Sequence, residues 1–321
     1  MQALVFAQFG GPEVMHLREL PDPLPAADEV LVRTRAIGLN FADIYRRQGN
    51  YHLAGDPPWI AGYEAAGEVV RAPAASGFVS GDRVAFADSP FANAELVAVP
   101  ADRLIPLPDD IEFDTAAALL LQGLTAQYLL RDSHPIRRGE TVLVHAAAGG
   151  VGQLLVQLAV AAGARVLALA STGEKTSVAA AAGAHATATY SEDWVAVAQA
   201  FGKGGVDVVY DSVGSTVQDS LRAVRIGGHV VFYGMAGGNP EPIDPRILMD
   251  GSKTLTGGDL WNVLRTKEDR RTRAAELFEA VRNGRLRVNI DARFALADGA
   301  AAHAHLESRG AVGKVLLIPS A

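Results

Sequence analysis

The strongest chemical signature in the chain is a glycine cluster. Gly149, Gly150 and Gly152 lie in HAAAGGVGQLLVQLA, directly after a strand-like run and at the start of a helical one. In that context Gly149 and Gly150 let the backbone turn sharply and approach a pyrophosphate, and Gly152 lets the helix pack closely on its strand. The unpaired N–H groups opening the helix face the negative charge. A tight turn without a ligand, or a site for SAM or a flavin, would use the same residues, but strand, glycines and helix together favour a dinucleotide.

The next strand-like run, RVLALA, ends where a site for NAD places an acidic side chain on the ribose hydroxyls. Ser171 and Thr172 stand there instead. Small hydroxyl residues leave room for a 2′-phosphate, and Lys175 offers a counter-charge, so NADPH is expected over NADH. Glu174 is the objection, since it either turns to solvent or repels the phosphate.

These residues need a doubly wound domain to hold them. From residue 140 onward, strand-like and helix-like segments alternate (TVLVHA, RVLALA, a short run at 185–189, DVVYDS, HVVFYG and 253–257), which predicts a parallel sheet with helices on both faces. The first hundred residues differ, with β-type runs at 1–6, 29–37, 65–71, 82–87 and 94–99 broken by Gly and Pro. They predict a small, mostly antiparallel β domain. Helical spacing at 113–130 marks the junction, and the helix at 268–283, the strand at 292–295, the helix at 298–308 and the strand at 314–318 are expected to return to the first domain. The expected domains are therefore 1–121 plus 264–321, and 122–263, an α/β chain of two domains with a cleft.

Composition narrows the chemistry further. The chain has 321 residues and no cysteine, which removes disulfides, thiolate nucleophiles and thiolate metal ligands together. Acidic residues outnumber basic ones by 36 to 29, with no long basic run, so a nucleic acid partner is not expected. No segment reads as a membrane span or a signal peptide, and the expected location is cytoplasmic.

Several segments together resemble the medium-chain dehydrogenase/reductase superfamily, and within it the zinc-free quinone oxidoreductases related to zeta-crystallin. They are GLNFADIYRRQGNY (38–51), GYEAAGEV (62–69), GDRVAF (81–86), QGLTAQYLL (122–130), HAAAGGVG (145–152), VVYDSVG (208–214) and GKVLLIP (313–319). The resemblance implies a GroES-like β domain and a Rossmann domain, dependence on NADPH, a homodimer, and reduction of quinones or activated alkenes. Zinc-dependent relatives carry cysteine where this chain has Asn40 and histidine where it has Tyr63. Glu64 alone cannot hold an open zinc site, so no metal is expected and Glu64 reads as a structural carboxylate. The resemblance further implies that Asn40, Asp43 and Tyr45 border the nicotinamide, and that Lys175 and Tyr190 hold the 2′-phosphate. It places Thr125, Gly149, Gly150 and Val151 along the cofactor, Ser212, Val213, Phe232 and Gly234 along the ribose and nicotinamide, and Lys314 within reach of the cofactor from the other domain. The segment HLAGDPPWI departs from the family pattern, which leaves substrate contacts there open.

Hydride delivered to an aldehyde leaves an alkoxide of pKa roughly 16, which calls for a Lewis acid or a proton relay. Delivered to a quinone it leaves a phenolate of pKa about 10, which modest hydrogen-bond donors stabilise. The expected activity is an NADPH-dependent quinone oxidoreductase, with Asn40, Tyr45 or Tyr51 donating to the developing oxyanion. Reduction of an enone, alkenal or enoyl double bond, and a non-catalytic NADPH sensor, are the alternatives. Arg46 and Arg47 would orient an anionic substrate or form a solvated loop. His145 reads as a packed core histidine, His303 and His305 point in different directions on a helix, and Trp59 and Trp261 could wall a flat substrate or pack in a core or interface.

Overall fold

The computed structural model describes residues 1–320. The chain divides into two compact units, one comprising Met1–Leu121, Leu264–Glu279 and 288–320, the other Gln122–Val263 and Ala280–Arg287.

In the first unit the long strand Glu29–Leu39 is central to a seven-stranded sheet. The order is Ile290–Ala295, Lys314–Ile318, Glu29–Leu39, Ala65–Arg71, Arg83–Phe86 and Ile105–Pro106, with Leu96–Pro100 also paired to Glu29–Leu39. Every pairing is antiparallel except Ile290–Ala295 with Lys314–Ile318. The alternation in EVLVRTRAIGL sends Val30 and Val32 into the core and Arg33 and Arg35 outward. The N-terminal strand Gln2–Phe6 does not join this sheet. It pairs with His16–Glu19 and Trp59–Ile60 in a separate three-stranded one, its buried Leu4, Val5 and Phe6 packing into the same apolar core as Val30 and Val32.

In the second unit six parallel strands run in the order Ala186–Thr189, Arg165–Ala170, Thr141–Val144, Val206–Asp211, Val224–Phe232 and Thr254–Gly257. Counted along this unit the order is 3-2-1-4-5-6, that of the Rossmann fold. TVLV is wholly buried and VDVVYD nearly so, as strands covered on both faces must be. The α/β architecture therefore carries both the antiparallel and the doubly wound parts expected of it. A helix at Pro245–Asp250, not signalled by the sequence, crosses between the last two strands.

Candidate active site

Within the Rossmann unit, the candidate nucleotide residues other than Thr125 sit at the C-terminal ends of parallel strands. The segment 145–152 follows Thr141–Val144, residues 171–175 follow Arg165–Ala170, and Tyr190 follows Ala186–Thr189. Ser212 and Val213 follow Val206–Asp211, while Phe232 ends its strand and leads to Gly234. Ligands of open α/β sheets bind along this edge, where the first strand's flanks diverge. Gly149 caps the helix Gly150–Ala161 with an extended backbone and no side-chain cap, so the first N–H groups remain for an anion. A Cβ on Gly152 would run into the Ala146 carbonyl and the Ala147 backbone, which explains the glycine by close approach. Gly150 and Val151 open the same helix, half-buried.

Thr172 caps the helix Gly173–Ala181, its Oγ1 accepting the Lys175 N–H at 3.3 Å, and Ser171 stands exposed beside it. The tip of this strand thus carries small hydroxyls, a helix start and a lysine. Ser212 and Val213 are laced to the following loop through their carbonyls, which accept from Ala236 at 3.0 Å and Gly237 at 2.8 Å. Gly234 packs against Ser212 so closely that a Cβ would press on its backbone. Thr125 lies buried on the helix Phe113–Tyr128.

The first unit holds the remaining candidates. The helix Phe41–Arg47 begins at Asn40, whose backbone N–H donates to Asp43 Oδ2 at 2.9 Å. The Asn40 amide is fully engaged, with Nδ2 donating to Glu64 Oε2 at 2.9 Å and Gly38 O at 3.2 Å, and Oδ1 accepting from Lys314 Nζ at 2.8 Å. Asn40 therefore has no amide hydrogen left for a substrate oxyanion. Lys314 Nζ also donates to Glu64 Oε2 at 2.6 Å, while Glu64 Oε1 accepts the Leu121 N–H at 2.7 Å. Lys314 and Glu64 are wholly buried, so the ammonium is held inside its own unit. Gly38 permits this packing, because a Cβ there would meet the Glu64 carboxylate and the Ala117 carbonyl.

Arg46 and Arg47 are not a solvated loop. Both are buried in the last turn of the helix Phe41–Arg47. The Arg46 guanidinium lies 3.6 Å from the centroid of the Tyr63 ring and 5.0 Å from that of Tyr51, a cation–π arrangement, and pairs with Asp43 Oδ1 at 3.2 Å. Its Nε donates to the His52 carbonyl at 3.1 Å. Burial raises the Asp43 carboxyl above its ordinary value, while Arg46 and the Asn40 N–H pull the other way. Burial likewise raises the Tyr63 phenol, against the attraction of Arg46. Tyr45 and Tyr51 stand half-buried beside this cluster, their rings edge to face at 6.5 Å. Tyr63 was legible only as a replaced histidine, because its partner Arg46 is brought to it by folding. Trp59 stacks on Phe9 at 5.1 Å in the first unit, whereas Trp261 belongs to the second.

The donor set at Asn40, Tyr63 and Glu64 does not fit zinc. The one carboxylate is neutralised by Lys314, the amide is engaged on both sides, and the phenol is held protonated. Among the described residues no group of three or more His, Cys, Asp or Glu side chains could hold a metal ion.

Residues 26–109 match the alcohol dehydrogenase GroES-like domain family and residues 150–279 the zinc-binding dehydrogenase family. The chain is 42% identical over 320 residues to a quinone oxidoreductase of Pseudomonas aeruginosa, covering 98% of each. It is 37% identical over 334 residues to a 2-haloacrylate reductase of a Burkholderia species, covering 100% of each. Among solved structures, an Escherichia coli quinone oxidoreductase complexed with NADPH matches at a TM-score of 0.96 with 36% identity, over 99% of this chain and 100% of that one. A mycobacterial protein complexed with NADPH matches at 0.95 with 39% identity, over 99% and 100%. With a Rossmann strand order set within a GroES-like chain and relatives this similar from end to end, the protein belongs to the zeta-crystallin-like quinone oxidoreductase family of the medium-chain dehydrogenase/reductase superfamily.

Proposed function

We propose that the protein is an NADPH-dependent oxidoreductase whose acceptor is a quinone. The observation that carries the choice of acceptor is the closed Asn40–Lys314–Glu64 cluster, in which Asn40 stands where the resemblance implies a cysteine ligand in zinc-dependent relatives. A quinone suits such a site because its reduced form is a phenol, a weakly basic oxygen that asks for no Lewis acid.

NADPH, when bound, supplies the hydride. The glycine-rich loop and the helix start at Gly150 fit its pyrophosphate, and Ser171, Thr172 and Lys175 fit its 2′-phosphate. Thr125, Val151, Ser212, Val213, Phe232 and Gly234 are assigned to its path, with Asn40 and Asp43 shaping the nicotinamide end. Tyr45 and Tyr51 are the residues assigned to donate to the developing oxyanion, and Asn40 serves to hold Lys314 and Glu64 in place. Asp43 cancels the charge of Arg46, which favours a neutral acceptor over a carboxylate.

Reduction of an activated alkene is the second reading, favoured by the similarity to the 2-haloacrylate reductase. The two separate in one assay. NADPH and NADH oxidation is followed with 1,4-benzoquinone, 9,10-phenanthrenequinone, an enone and 2-chloroacrylate, with a chelator present. Rapid NADPH oxidation by the quinones supports the proposal; turnover confined to the enone or the acrylate moves the function to alkene reduction. Tight NADPH binding with no turnover on any acceptor identifies a sensor. The strand Thr254–Gly257 ends the parallel sheet, so we further propose a two-fold dimer formed across that edge. A monomeric mass in light scattering at micromolar concentration removes the dimer.

A further inference from the structure

Arg46 links the helix Phe41–Arg47 to the segment that follows it. Residues 51–54 lie in neither helix nor strand, so no ladder of backbone hydrogen bonds holds them and their polar groups need other partners. Arg46 supplies one, its Nε donating to the His52 carbonyl at 3.1 Å. Two residues on, the Ala54 N–H donates to the Tyr63 hydroxyl, which also takes a hydrogen bond from Arg46. Further along, Trp59 Nε1 donates to the Gly55 carbonyl at 3.0 Å, and the Trp59 backbone pairs with Phe6. Side chains from two other elements thus hold the stretch that carries Tyr51.

Arg46 is itself fixed. Its Nη1 donates to Asp43 Oδ1 at 3.2 Å, and Asp43 Oδ2 takes the Asn40 N–H at 2.9 Å, so the carboxylate that orients the guanidinium is set by the first turn of the helix. The guanidinium centre lies 3.6 Å from the Tyr63 ring centroid and 5.0 Å from that of Tyr51. A planar cation against a ring face is held in both distance and orientation, which a flexible ammonium would not be. Tyr51 in turn meets Tyr45 edge to face, with the ring planes at 77°. One buried side chain therefore registers Tyr51 against the helix that carries Asp43 and Tyr45 and begins at Asn40.

We propose that Arg46 and Tyr63 are positioning residues for the reaction, a clamp that holds the Tyr51–Ala54 segment on the helix Phe41–Arg47 and fixes the Tyr51 hydroxyl for the developing oxyanion. The guanidinium is buried and its charge is cancelled by Asp43, so it acts through Tyr51 rather than by attracting the acceptor. A donor held in place beforehand costs no reorganisation as charge develops, whereas a mobile one must be ordered at that moment. Loosening the clamp therefore lowers kcat. This inference rests on the assignment of Tyr51 as a donor in the reading above, and adds the residues that keep that donor in place.

The test combines steady-state kinetics with hydrogen exchange. Tyr63→Phe keeps the ring against the guanidinium and removes the hydroxyl that takes the Ala54 N–H, while Arg46→Lys keeps the charge beside Asp43 and gives up the planar stacking. Each is expected to lower kcat for 1,4-benzoquinone about 10-fold, less than the outright loss of a donor, with the dissociation constant of NADPH unchanged. Tyr63→Phe, the milder of the two, decides where Arg46→Lys does not fold. Amide exchange at residues 51–54 is expected to quicken in each variant and to stay the same in the helix Phe113–Tyr128, a readout independent of turnover. In a Tyr51→Phe background the same substitutions are expected to change kcat by no more than about 2-fold, because the donor they position is gone. An equal fall in both backgrounds overturns the proposal and leaves the quinone reading intact, as does unchanged kcat or unchanged exchange in the single variants. Wild-type protein that reduces only an enone or 2-chloroacrylate overturns the quinone reading, and the same comparison with that acceptor then decides the clamp. Wild-type protein that reduces none of these acceptors overturns both.

Discussion

Lys314 Nζ lies 2.6 Å from Glu64 Oε2, and neither side chain reaches solvent. The two residues are 250 positions apart, and Asn40 completes the cluster from a third element. Burying two charges costs several kcal/mol per ion, offset only when geometry and further hydrogen bonds are good. Here Glu64 also takes the Leu121 N–H and an Asn40 amide hydrogen. Such a cluster holds three chain segments in one register, which a purely apolar contact would do less specifically.

Removing one partner strands the other. Lys314→Met is expected to destabilise the protein by about 3–5 kcal/mol, seen as a lower urea midpoint. The double variant Lys314→Met, Glu64→Gln should recover a good part of that loss. A single variant as stable as wild type would contradict the buried pairing.

The hydroxyls of Tyr45 and Tyr51 are the ones assigned to the developing oxyanion. Replacing both by Phe is expected to lower kcat for a quinone by about 100-fold, with the dissociation constant of NADPH unchanged. Phe retains the edge-to-face ring contact at 6.5 Å, so the circular dichroism spectrum should stay the same. Unaltered kcat would move the proton donor elsewhere.

His303 is buried against Arg47, whose Nη1 lies 3.2 Å from Nδ1, and burial together with that positive charge lowers its pKa to about 3. The unfolded state takes up this proton near pH 6.5 and the folded state does not, so folding stability falls as pH drops from about 6.5 toward about 3. Each pH unit within that window costs up to about 1.4 kcal/mol from this one residue. His303→Asn, which still offers Arg47 an acceptor, should flatten the difference between urea midpoints measured near pH 7 and near pH 5. An equally steep fall in the variant would place the acid sensitivity in other groups.

At Gly152 there is no room for a methyl group, because the obstruction is the backbone of Ala146 and Ala147 rather than a movable side chain. Gly152→Ala is expected to cost about 1–3 kcal/mol of stability. The shift of the loop should also weaken NADPH binding, measured by titration. A variant with wild-type stability and affinity would show that the helix can move away from its strand freely.

Local patterns carry much of this protein's architecture. The buried run TVLV, the glycines after it and the apolar helix Gly150–Ala161 are contiguous, so their order alone announces a strand, a glycine-rich turn and a helix. The helix Phe41–Arg47 is the opposite case. It is short, and its two arginines look like a solvated face until Tyr63, Asp43 and His303 are folded around them. The strand Gln2–Phe6 has a clear strand signature, yet its choice of His16–Glu19 and Trp59–Ile60 as partners depends on pairings that periodicity does not encode. His145 reads as a core residue because its neighbours are apolar, and its polar partners Tyr190 and Ser220 lie 45 and 75 residues away.

The sequence by itself determined the strand and helix periods, the glycine-rich turn between a strand and a helix, the small hydroxyls and lysine after the next strand, and the lack of cysteine ligands. Each of these is a property of residues close together in the chain. The tertiary structure decided that Asn40 holds Lys314 and Glu64 rather than offering its amide hydrogens, that Arg46 is neutralised by Asp43, and that Tyr190 turns its hydroxyl to Ala146. In each case a buried polar group must find a partner, and with water excluded, only the folded chain determines which partner lies within hydrogen-bonding distance.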